Sequence, residues 1–434
     1  MKQHKLKEPI SLSSEFSYAL DRMERSNDSL FITGRAGTGK STLLNLFTST
    51  TKKRAVVLAP TGIAALQVRG QTIHSFFRLP PKMINPSEIT KRKNHWIYKK
   101  VQTIIIDEIS MVRVDMLDII DHFLQVNREN SQPFGGVQMI FFGDLYQLPP
   151  IIADPVERSV ITGKYESPYF FSAAVMERLE SFELIELHKV FRQEEKHFIR
   201  LLDNIRMRHF DYDDMEDLNQ RHVAISEEED EYYITISTRN NIVDSINKKK
   251  LEAIDMPSFY FPAKVSGQFN PGTYPTKAIL ELKLGAQVMF VKNDPQKQFV
   301  NGTIGKIVQV TQDKLTVSVQ NRDETTTYVE VERLVWEMTK YAIDKNANQI
   351  ISEVTGSFTQ YPLKLAWAIT VHKSQGQTFD KVIIDIGTGA FEYGQTYVAL
   401  SRCRTMGGII LKRPIKPTDV LVDDRVTDFY QRAR

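Results

Sequence analysis

The chain has almost no cysteine. Cys403 is the sole one in 434 residues, so no disulfide framework can form within it, and a reducing compartment suits it. Long apolar runs are also missing. No stretch approaches the ~18 apolar residues needed to span a bilayer. The polar, lysine-bearing segment Met1–Phe16 lacks the apolar core of a signal peptide. A strong charge of either sign is absent: 56 Lys and Arg stand against 53 Asp and Glu, a net +3. A globally basic nucleic-acid binder is thereby excluded, and any such site must be built from local charge. Repeats and low-complexity tracts are absent too, which removes solenoid architectures.

What is present is ordinary globular composition, 41% hydrophobic and 25% charged, in a length that suggests two to four domains. The first half alternates short apolar runs with helical patterns. Ser29–Thr33, Ala55–Ala59, Thr103–Ile106 and Val137–Phe142 read as buried strands. Lys40–Phe47, Thr61–Val68 and Val112–Val126 read as helices between them, so a parallel sheet with crossovers is expected. Residues 79–100 interrupt the alternation with three prolines and a basic, aromatic run (Lys91, Arg92, Lys93, His95, Trp96, Tyr98, Lys99, Lys100), a small insertion.

A second α/β pattern starts near Glu183. Its expected strands are Glu183–Leu187 and Tyr233–Thr238, and its helices Glu194–Met207 and Arg239–Glu252. The acidic stretch Asp211–Tyr232 reads as a solvated connection. From about Lys292 to Pro362 the period becomes two, with strands at Thr303–Val310, Lys314–Val319 and Thr325–Val331 and turns at Asn301-Gly302 and Gln320–Asp323. The α/β pattern resumes with a strand at Lys381–Ile386, a helix at Gln395–Ser401 and a strand at Gly408–Lys412. The expected division is 1–180 for the first domain, 181–291 with 363–434 for the second, and 292–362 for the β insertion.

Gly34-Arg35-Ala36-Gly37-Thr38-Gly39-Lys40-Ser41 fits GxxxxGK[ST] between a strand and a helix. Its glycines let backbone N–H groups close around phosphates, and the helix N-terminus adds favourable partial charge. Lys40 is expected at the β- and γ-phosphates and Ser41 on Mg²⁺. Thr42 opens the same helix. Asp107 and Glu108 end the apolar strand Ile104–Ile106, at the sheet edge where phosphates lie. Asp107 is expected to hold Mg²⁺ and Glu108 to deprotonate the attacking water. Gln147, in Gly143-Asp144-Leu145-Tyr146-Gln147-Leu148-Pro149-Pro150, is placed to sense the γ-phosphate or position the water; a plain turn before the prolines is the bland alternative. Phosphoryl transfer also needs cations facing the γ-phosphate, and Arg192 and Arg402 are the candidates, against the ordinary alternative of surface ion pairs.

Taken in order, GRAGTGKS, APTGIAA (Ala59–Ala65), GQTIHSFF (Gly70–Phe77), IIIDEISM (Ile104–Met111), GDLYQLPP, LHKVFRQ, WAITVHKSQGQTFD (Trp367–Asp380) and YVALSRCR resemble the motifs of superfamily 1, group B helicases. Within that group the chain looks like the petite-integration-frequency (PIF) helicases and their RecD-like relatives, and Arg113–Asp118 is similar to that family's own signature. The resemblance spans roughly residues 14–410.

It implies two RecA-like P-loop domains with parallel sheets, a small insertion in the first and an SH3-like β-barrel in the second. The implied activity is ATP- and Mg²⁺-dependent translocation 5′ to 3′ on single-stranded DNA by a monomer, with unwinding of duplexes, forks and G-quadruplexes at single/double-strand junctions and no membrane partner. Gly34, Ala36, Gly37, Thr38, Gly39, Lys40, Ser41, Thr42, Gly376 and Arg402 are the implied nucleotide contacts. The implied DNA contacts are Pro60, Thr61, Gly62, Thr72, His74 and Phe76 in the first domain, and Thr238, Asn240, His372, Lys373, Ser374 and Gln375 in the second. Relatives carry a glutamine near the N-terminus that reads adenine; here Glu15-Phe16 stands where Glu-Gln is expected. A bacterial or phage cytoplasm is the expected setting, with a trimmed nuclear or mitochondrial core as the alternative.

A track for single strands needs phosphate contacts and aromatic faces, because stacking tolerates any base. His74, Phe76 and Phe77 are candidates, with core packing the alternative for the two phenylalanines. The basic run with Trp96 and Tyr98 is either a fork wedge or a solvated face. Competing readings are a translocase that displaces proteins with little unwinding, an RNA-acting relative, and a nucleotide-gated binder with a dead motor.

Overall fold

A computed structural model describes residues 13–93, 95–224, 232–294, 296, 298–321, 325–344 and 349–433. Most of the leader segment, residues 225–231 of the acidic stretch, residue 94 of the basic run and residues 322–323 of the expected turn lie outside the described residues.

The first sheet is parallel. Its strands are β1 (Ser29–Gly34), β2 (Ala55–Ala59), β3 (Gln71–Thr72), β4 (Thr103–Ile106), β5 (Gln138–Phe142) and β6 (Phe182–Leu187), in the order β3-β2-β4-β5-β1-β6. The inner strands β1, β4 and β5 are buried along their whole length and largely apolar, because helices cover both faces. Ile104, Ile105 and Ile106 are each fully buried, and such burial contributes about 1.5–3 kcal/mol per side chain. Crossovers of this kind bring the carboxyl ends of β1, β4 and β5 to one edge, where the sites lie. A second parallel sheet runs Ala368–Thr370, Ile234–Ser237, Val382–Asp385, Ile409–Leu411 and has its own core.

Four expectations are corrected. The strand expected to open the second domain is β6, which pairs with β1 from Ser29↔Phe182 to Gly34↔Leu187. It therefore belongs to the first sheet. A half-buried edge strand has the same local pattern in either sheet, so its pattern does not say which it joins. The C-terminal helix Asp424–Ala433 likewise returns to the first core, into which it buries Val426 and Tyr430. The acidic stretch is not only a connection: Asp211 caps a helix, Tyr212–Asn219, accepting from the Asp214 N–H at 2.8 Å, and Met215 and Leu218 are buried. An N-cap followed by two buried apolar residues is enough to fold a helix among carboxylates.

The β insertion starts earlier than residue 292 and has two parts. Thr326–Glu330, Leu315–Gln320, Ile304–Val310, Gln287–Phe290 and Leu363–Leu365 form a five-stranded antiparallel sheet over its own core. A long ribbon, Leu334–Asp344 paired with Gln349–Gln360, continues to Lys264–Gly267 and reaches back to the first domain. There the Tyr341 hydroxyl accepts from the Val57 N–H at 3.0 Å, and the Gln71 amide donates to the Thr339 carbonyl at 2.8 Å. Within the 79–100 insertion, Leu79, Ile84, Ile89 and Tyr98 join the first core, while Lys91 and Lys99 pair with Glu129. No helix among the described residues is long and apolar enough to cross a membrane.

Candidate functional site: a nucleotide cleft beside a strand track

The phosphate loop leaves β1 through glycines in left-handed or otherwise restricted backbone. Gly37 and Gly39 have φ of +86° and +85°. A Cβ at Gly37 would lie 2.5 Å from the Arg192 Cβ, so glycine is what lets the second arginine segment lie across the loop. Gly39 caps the helix Lys40–Thr50 without a side-chain hydrogen bond, which leaves the first-turn amides for a ligand. The Lys40 ammonium donates to the carbonyls of Gly34 at 2.6 Å and Arg35 at 2.9 Å. Burial lowers its pKa to about 8. Ser41 and Thr42 are exposed at the helix start, and Thr38 is buried.

Asp107 and Glu108 follow β4. Burial, and then the neighbouring Glu108, raise the Asp107 carboxyl to about 7; burial also raises that of Glu108. Two half-buried carboxylates and the exposed Ser41 hydroxyl at the helix start supply oxygen donors. That donor set fits a hard cation held by one or two protein oxygens and phosphates, the usual arrangement for Mg²⁺. It is not an all-protein cage: the described residues contain no cluster of three or more His, Cys, Asp or Glu that would hold a metal.

The second domain closes over these groups. The Gln375 amide donates to Glu108 at 3.0 Å and to the Gln147 side chain at 3.4 Å. Gln375, expected on the DNA track, thus points into the nucleotide cleft: one residue beyond the short helix Val371–Ser374 its side chain turns inward. Arg192 donates to the Ser401 carbonyl at 3.1 Å. Arg402, 1% exposed, donates to the Val398 carbonyl at 3.0 Å and the Ser401 hydroxyl at 2.9 Å. Burial lowers the pKa of both guanidiniums, that of Arg192 to about 9. Two desolvated cations facing Glu108 suit an incoming polyanion. Gly376 is separate: the contact at its Cβ position is Gln67 at 3.5 Å, not the phosphate loop.

Further residues emerge that motif reading did not single out. The Ala36 N–H of the phosphate loop donates to the Tyr397 hydroxyl at 2.9 Å, which in turn donates to Asp144 at 3.4 Å. Gly394 (φ +72°) lets the helix Gln395–Leu400 approach the Gln147 loop so closely that a Cβ would sit 2.5 Å from the Gln147 carbonyl. The available signal was a tyrosine in a wholly buried helix, whose hydroxyl must find a partner.

The expected DNA residues fall along one edge of both sheets. Thr61 and Thr72 cap short helices, accepting from Ala64 N–H at 3.2 Å and Ser75 N–H at 3.1 Å. Pro60 and His74 are half-buried and Asn240 and Lys373 exposed. Burial lowers the pKa of His74 and of His372, so both rings favour the neutral form. The Thr238 hydroxyl is buried without a partner. The Ser374 hydroxyl is spent on the Val371 carbonyl at 2.8 Å. Phe76 is 5% exposed and packs edge to face on Phe77, Tyr98 and Tyr341, so here it offers core contact and not a free face. Gly62 lies under Thr273, whose Cγ2 would be 2.3 Å from a Cβ there. A cleft of about 840 Å³ separates Thr72, Ser75 and Arg78 from the ribbon residues 338–343, with Trp96, 61% exposed, at its rim.

Comparisons with known proteins show the family and the fold. A family model described as PIF1-like helicase matches residues 13–215, one for the UvrD-like helicase C-terminal domain residues 365–406, and one for the 2B domain of DNA helicase Pif1 residues 273–310. The chain is 34% identical to the ATP-dependent DNA helicase Pif1 of Bdellovibrio bacteriovorus, over 98% of this chain and 92% of that one. It is 32% identical to the mouse ATP-dependent DNA helicase PIF1, of which it spans 63%. Among solved structures, the Bacteroides sp. Pif1 complex with ADP-AlF4 superposes with a TM-score of 0.88 at 37% identity, covering 98% of this chain and 97% of that one. The Bacteroides Pif1 complex with ADP-AlF3 and single-stranded DNA gives 0.69 at 38% identity over the same shares. With its two RecA-like domains and this run of motifs, the chain belongs to the family of Pif1-like helicases.

Proposed function

We propose that this protein is an ATP-dependent DNA helicase that moves 5′ to 3′ along single-stranded DNA and unwinds duplexes, forks and G-quadruplexes. The observation that carries the reading is the convergence of Glu108 and Gln147 from the first domain with Gln375 and Arg402 from the second and Arg192 from the segment that joins them. A cleft whose catalytic groups come from two domains ties its chemistry to their separation. That a Bacteroides relative is described in complex with both ADP-AlF3 and single-stranded DNA supports the same pairing of ligands.

In this reading the loop amides and Lys40 hold the β- and γ-phosphates. Glu108, its carboxyl already raised by burial, takes the proton of the attacking water that Gln147 positions. Arg192 and Arg402 give up carbonyl partners to face the charge developing on the γ-phosphate, a contribution worth about 10³–10⁵ in rate. Ser41 and Asp107 would hold Mg²⁺, which supplies charge neutralisation at the phosphates. Bound nucleotide joins the domains and hydrolysis releases them. If grip on the strand alternates between the domains, closing and opening become a step against roughly 1.4 kcal/mol of stacking per base pair. Pro60, Thr61, Gly62, Thr72, His74, Thr238, Asn240, His372 and Lys373 line the track, and Trp96 with the basic run meets the fork. The working unit is a monomer. A cytoplasm, or an equally reducing nucleus or mitochondrion, suits the single buried thiol.

The test is ATP-dependent unwinding of matched partial duplexes with a 5′ or a 3′ tail, with Lys40→Ala as the blank. Unwinding confined to the 5′ tail is expected. Unwinding from the 3′ tail overturns the polarity and the assigned DNA contacts. Intact ATPase with no unwinding identifies a protein-displacing translocase instead.

A further inference from the structure

The chain passes from the first domain to the second after β6 and returns to the first near the C-terminus. The motor reading makes no use of the return. After the strand Ile409–Leu411 the chain is held to the second domain. Arg413 pairs with Asp419 at 2.8 Å, the Thr396 hydroxyl donates to the Asp419 carbonyl at 2.5 Å, and the Gly394 N–H donates to the Leu421 carbonyl at 3.0 Å. Thr396 lies in the helix Gln395–Leu400, which leads to Arg402, and Gly394 caps it. A few residues on, the chain is held to the first domain instead. Arg425 donates to the Glu166 carbonyl at 2.9 Å, and Val426 and Tyr430 enter the first core.

Tyr430 stands where the phosphate loop and the Gln147 loop begin. Its hydroxyl shares a hydrogen bond with that of Thr33 at 2.7 Å, and Thr33 directly precedes Gly34 of the phosphate loop. The same hydroxyl accepts from the Leu145 N–H at 3.5 Å. The ring lies flat on that of Tyr146, with centroids 5.2 Å apart and planes 4° from parallel. Leu145 and Tyr146 directly precede Gln147. A ring that served the core alone could be phenylalanine, as its neighbours Phe31 and Phe429 are. Here a buried hydroxyl, which must find partners, finds them at the start of both loops.

We propose that Tyr430 is a positioning residue for ATP hydrolysis. It fixes the Leu145–Gln147 loop against the phosphate loop, and the C-terminal segment ties that loop to the helix that leads to Arg402. The inference rests on the motor reading above. When the cleft closes, Gln147 and Arg402 must meet the same phosphate in register. A strap anchored at one end on the arginine's helix and at the other beside the glutamine's loop sets that register. A misplacement of about 1 Å far from the chemistry can cost about a hundredfold in rate, so a hydroxyl that only holds the loop is still felt in turnover.

The experiment is steady-state ATP hydrolysis by the full chain with saturating single-stranded DNA, for the parent, Tyr430→Phe, Thr33→Val and the double variant, with thermal unfolding of each. Tyr430→Phe keeps the stack on Tyr146 and removes the hydroxyl. It is expected to lower kcat by about tenfold and to leave KM for ATP within about twofold of the parent's, since the groups assigned to the phosphates are untouched. Thr33→Val takes the same hydrogen bond from its other side, so it should lower kcat alike and the double variant hardly further. Phe429→Leu loosens the same helix where it stacks on Phe171, with centroids 4.4 Å apart. As the control, it is expected to lower the unfolding temperature and keep kcat. A parental kcat in Tyr430→Phe overturns the proposal and leaves the motor reading standing. So does a rise in KM with kcat unchanged, and so does a fall in kcat in Phe429→Leu as large as that in Tyr430→Phe, which would make the effect one of stability. Hydrolysis by the parent no faster than by Lys40→Ala overturns both readings.

Discussion

Asp144 of the first domain and Arg206 of the second form a buried ion pair, 2.8 Å at its shortest, between side chains at most 4% exposed. The Arg206 guanidinium lies 4.5 Å from the Tyr146 ring centroid and 6.0 Å from that of Tyr430. Burial pushes the Asp144 carboxyl up, but Arg206 and then Lys40 outweigh it and hold the group below the usual carboxylate range. Asp144 also accepts from the Gln147 amide at 3.3 Å. The pair therefore links Gln147, the proposed γ-phosphate sensor, to the helix Lys196–Met207, which is a second-domain element.

Removing one partner strands a buried charge. Arg206→Met or Asp144→Leu alone is expected to destabilise the protein by about 3–5 kcal/mol, and the double substitution to recover a large part of that. Guanidinium unfolding of the four proteins in the cycle measures it. Additive losses would mean that the two side chains do not act as a pair.

The arginines make a kinetic prediction. Arg402→Ala is expected to lower kcat for DNA-stimulated ATP hydrolysis by at least about 10³, with a smaller change in nucleotide affinity, since its cation is needed most where charge develops. Arg192→Ala should fall in the same direction. A normal turnover number in either variant removes that residue from the catalytic set.

How much of this was legible in the sequence depended on what each residue answers to. In the proposed site Lys40, Asp107 and Glu108 answer to phosphate and metal, so a ligand would fix their spacing from a strand end, and that spacing reads directly. The strands Ala55–Ala59 and Thr103–Ile106 were legible to the residue because burial on both faces leaves an unbroken apolar run. Arg206 answers only to a partner 62 residues away and looks like any cation on an amphipathic helix. Tyr430 and β6 were misplaced for a related reason: a local pattern tells that a face is buried, not against which core. Gln375 sits in a motif that reads as DNA-facing, and one turn of backbone decides its direction. The ribbon Leu334–Asp344 with Gln349–Gln360 is largely half-exposed and carries mixed polar residues, so its period-two signal is weak.

That ribbon gives a third prediction. The Tyr341 hydroxyl pairs the Val57 N–H at 3.0 Å and also reaches its carbonyl at 3.5 Å, on the stretch of β2 edge that the two-residue β3 leaves open. Tyr341→Phe takes away the acceptor of the Val57 N–H and should cost about 1–3 kcal/mol locally. Hydrogen exchange of the Val57 amide in the DNA-free protein is expected to quicken by tenfold or more. Unchanged protection would mean that the tyrosine contact contributes nothing there.

Cys403 offers a direct check on core packing. The thiol is buried, and burial raises its pKa to about 12. At pH 8 about one such thiol in ten thousand is ionised, and the thiolate is the reactive form. Iodoacetamide is expected to leave the folded protein unmodified over hours and to alkylate it promptly in 6 M guanidinium, a concentration of about the size that unfolds even hyperstable domains. Rapid labelling of the native chain would show that the helix Gln395–Leu400, and with it the approach of Arg402, opens readily.

The track residues separate by what they touch. Lys373 is exposed at the end of the short helix Val371–Ser374, and on the proposed track a lysine there would meet a phosphate without regard to sequence. Each phosphate neutralised on a single strand contributes about −0.7 to the slope of log affinity against log salt. Lys373→Ala is thus expected to weaken single-stranded DNA binding for every sequence and to flatten that slope by about 0.7. His372 is mostly neutral by virtue of burial, so it contributes no counterion release; His372→Ala should weaken binding while leaving the slope unchanged. Fluorescence anisotropy across a salt series distinguishes the two. A Lys373→Ala slope equal to the parent's would remove that lysine from the phosphate path, and a flattened slope in His372→Ala would mean that the ring is charged on DNA.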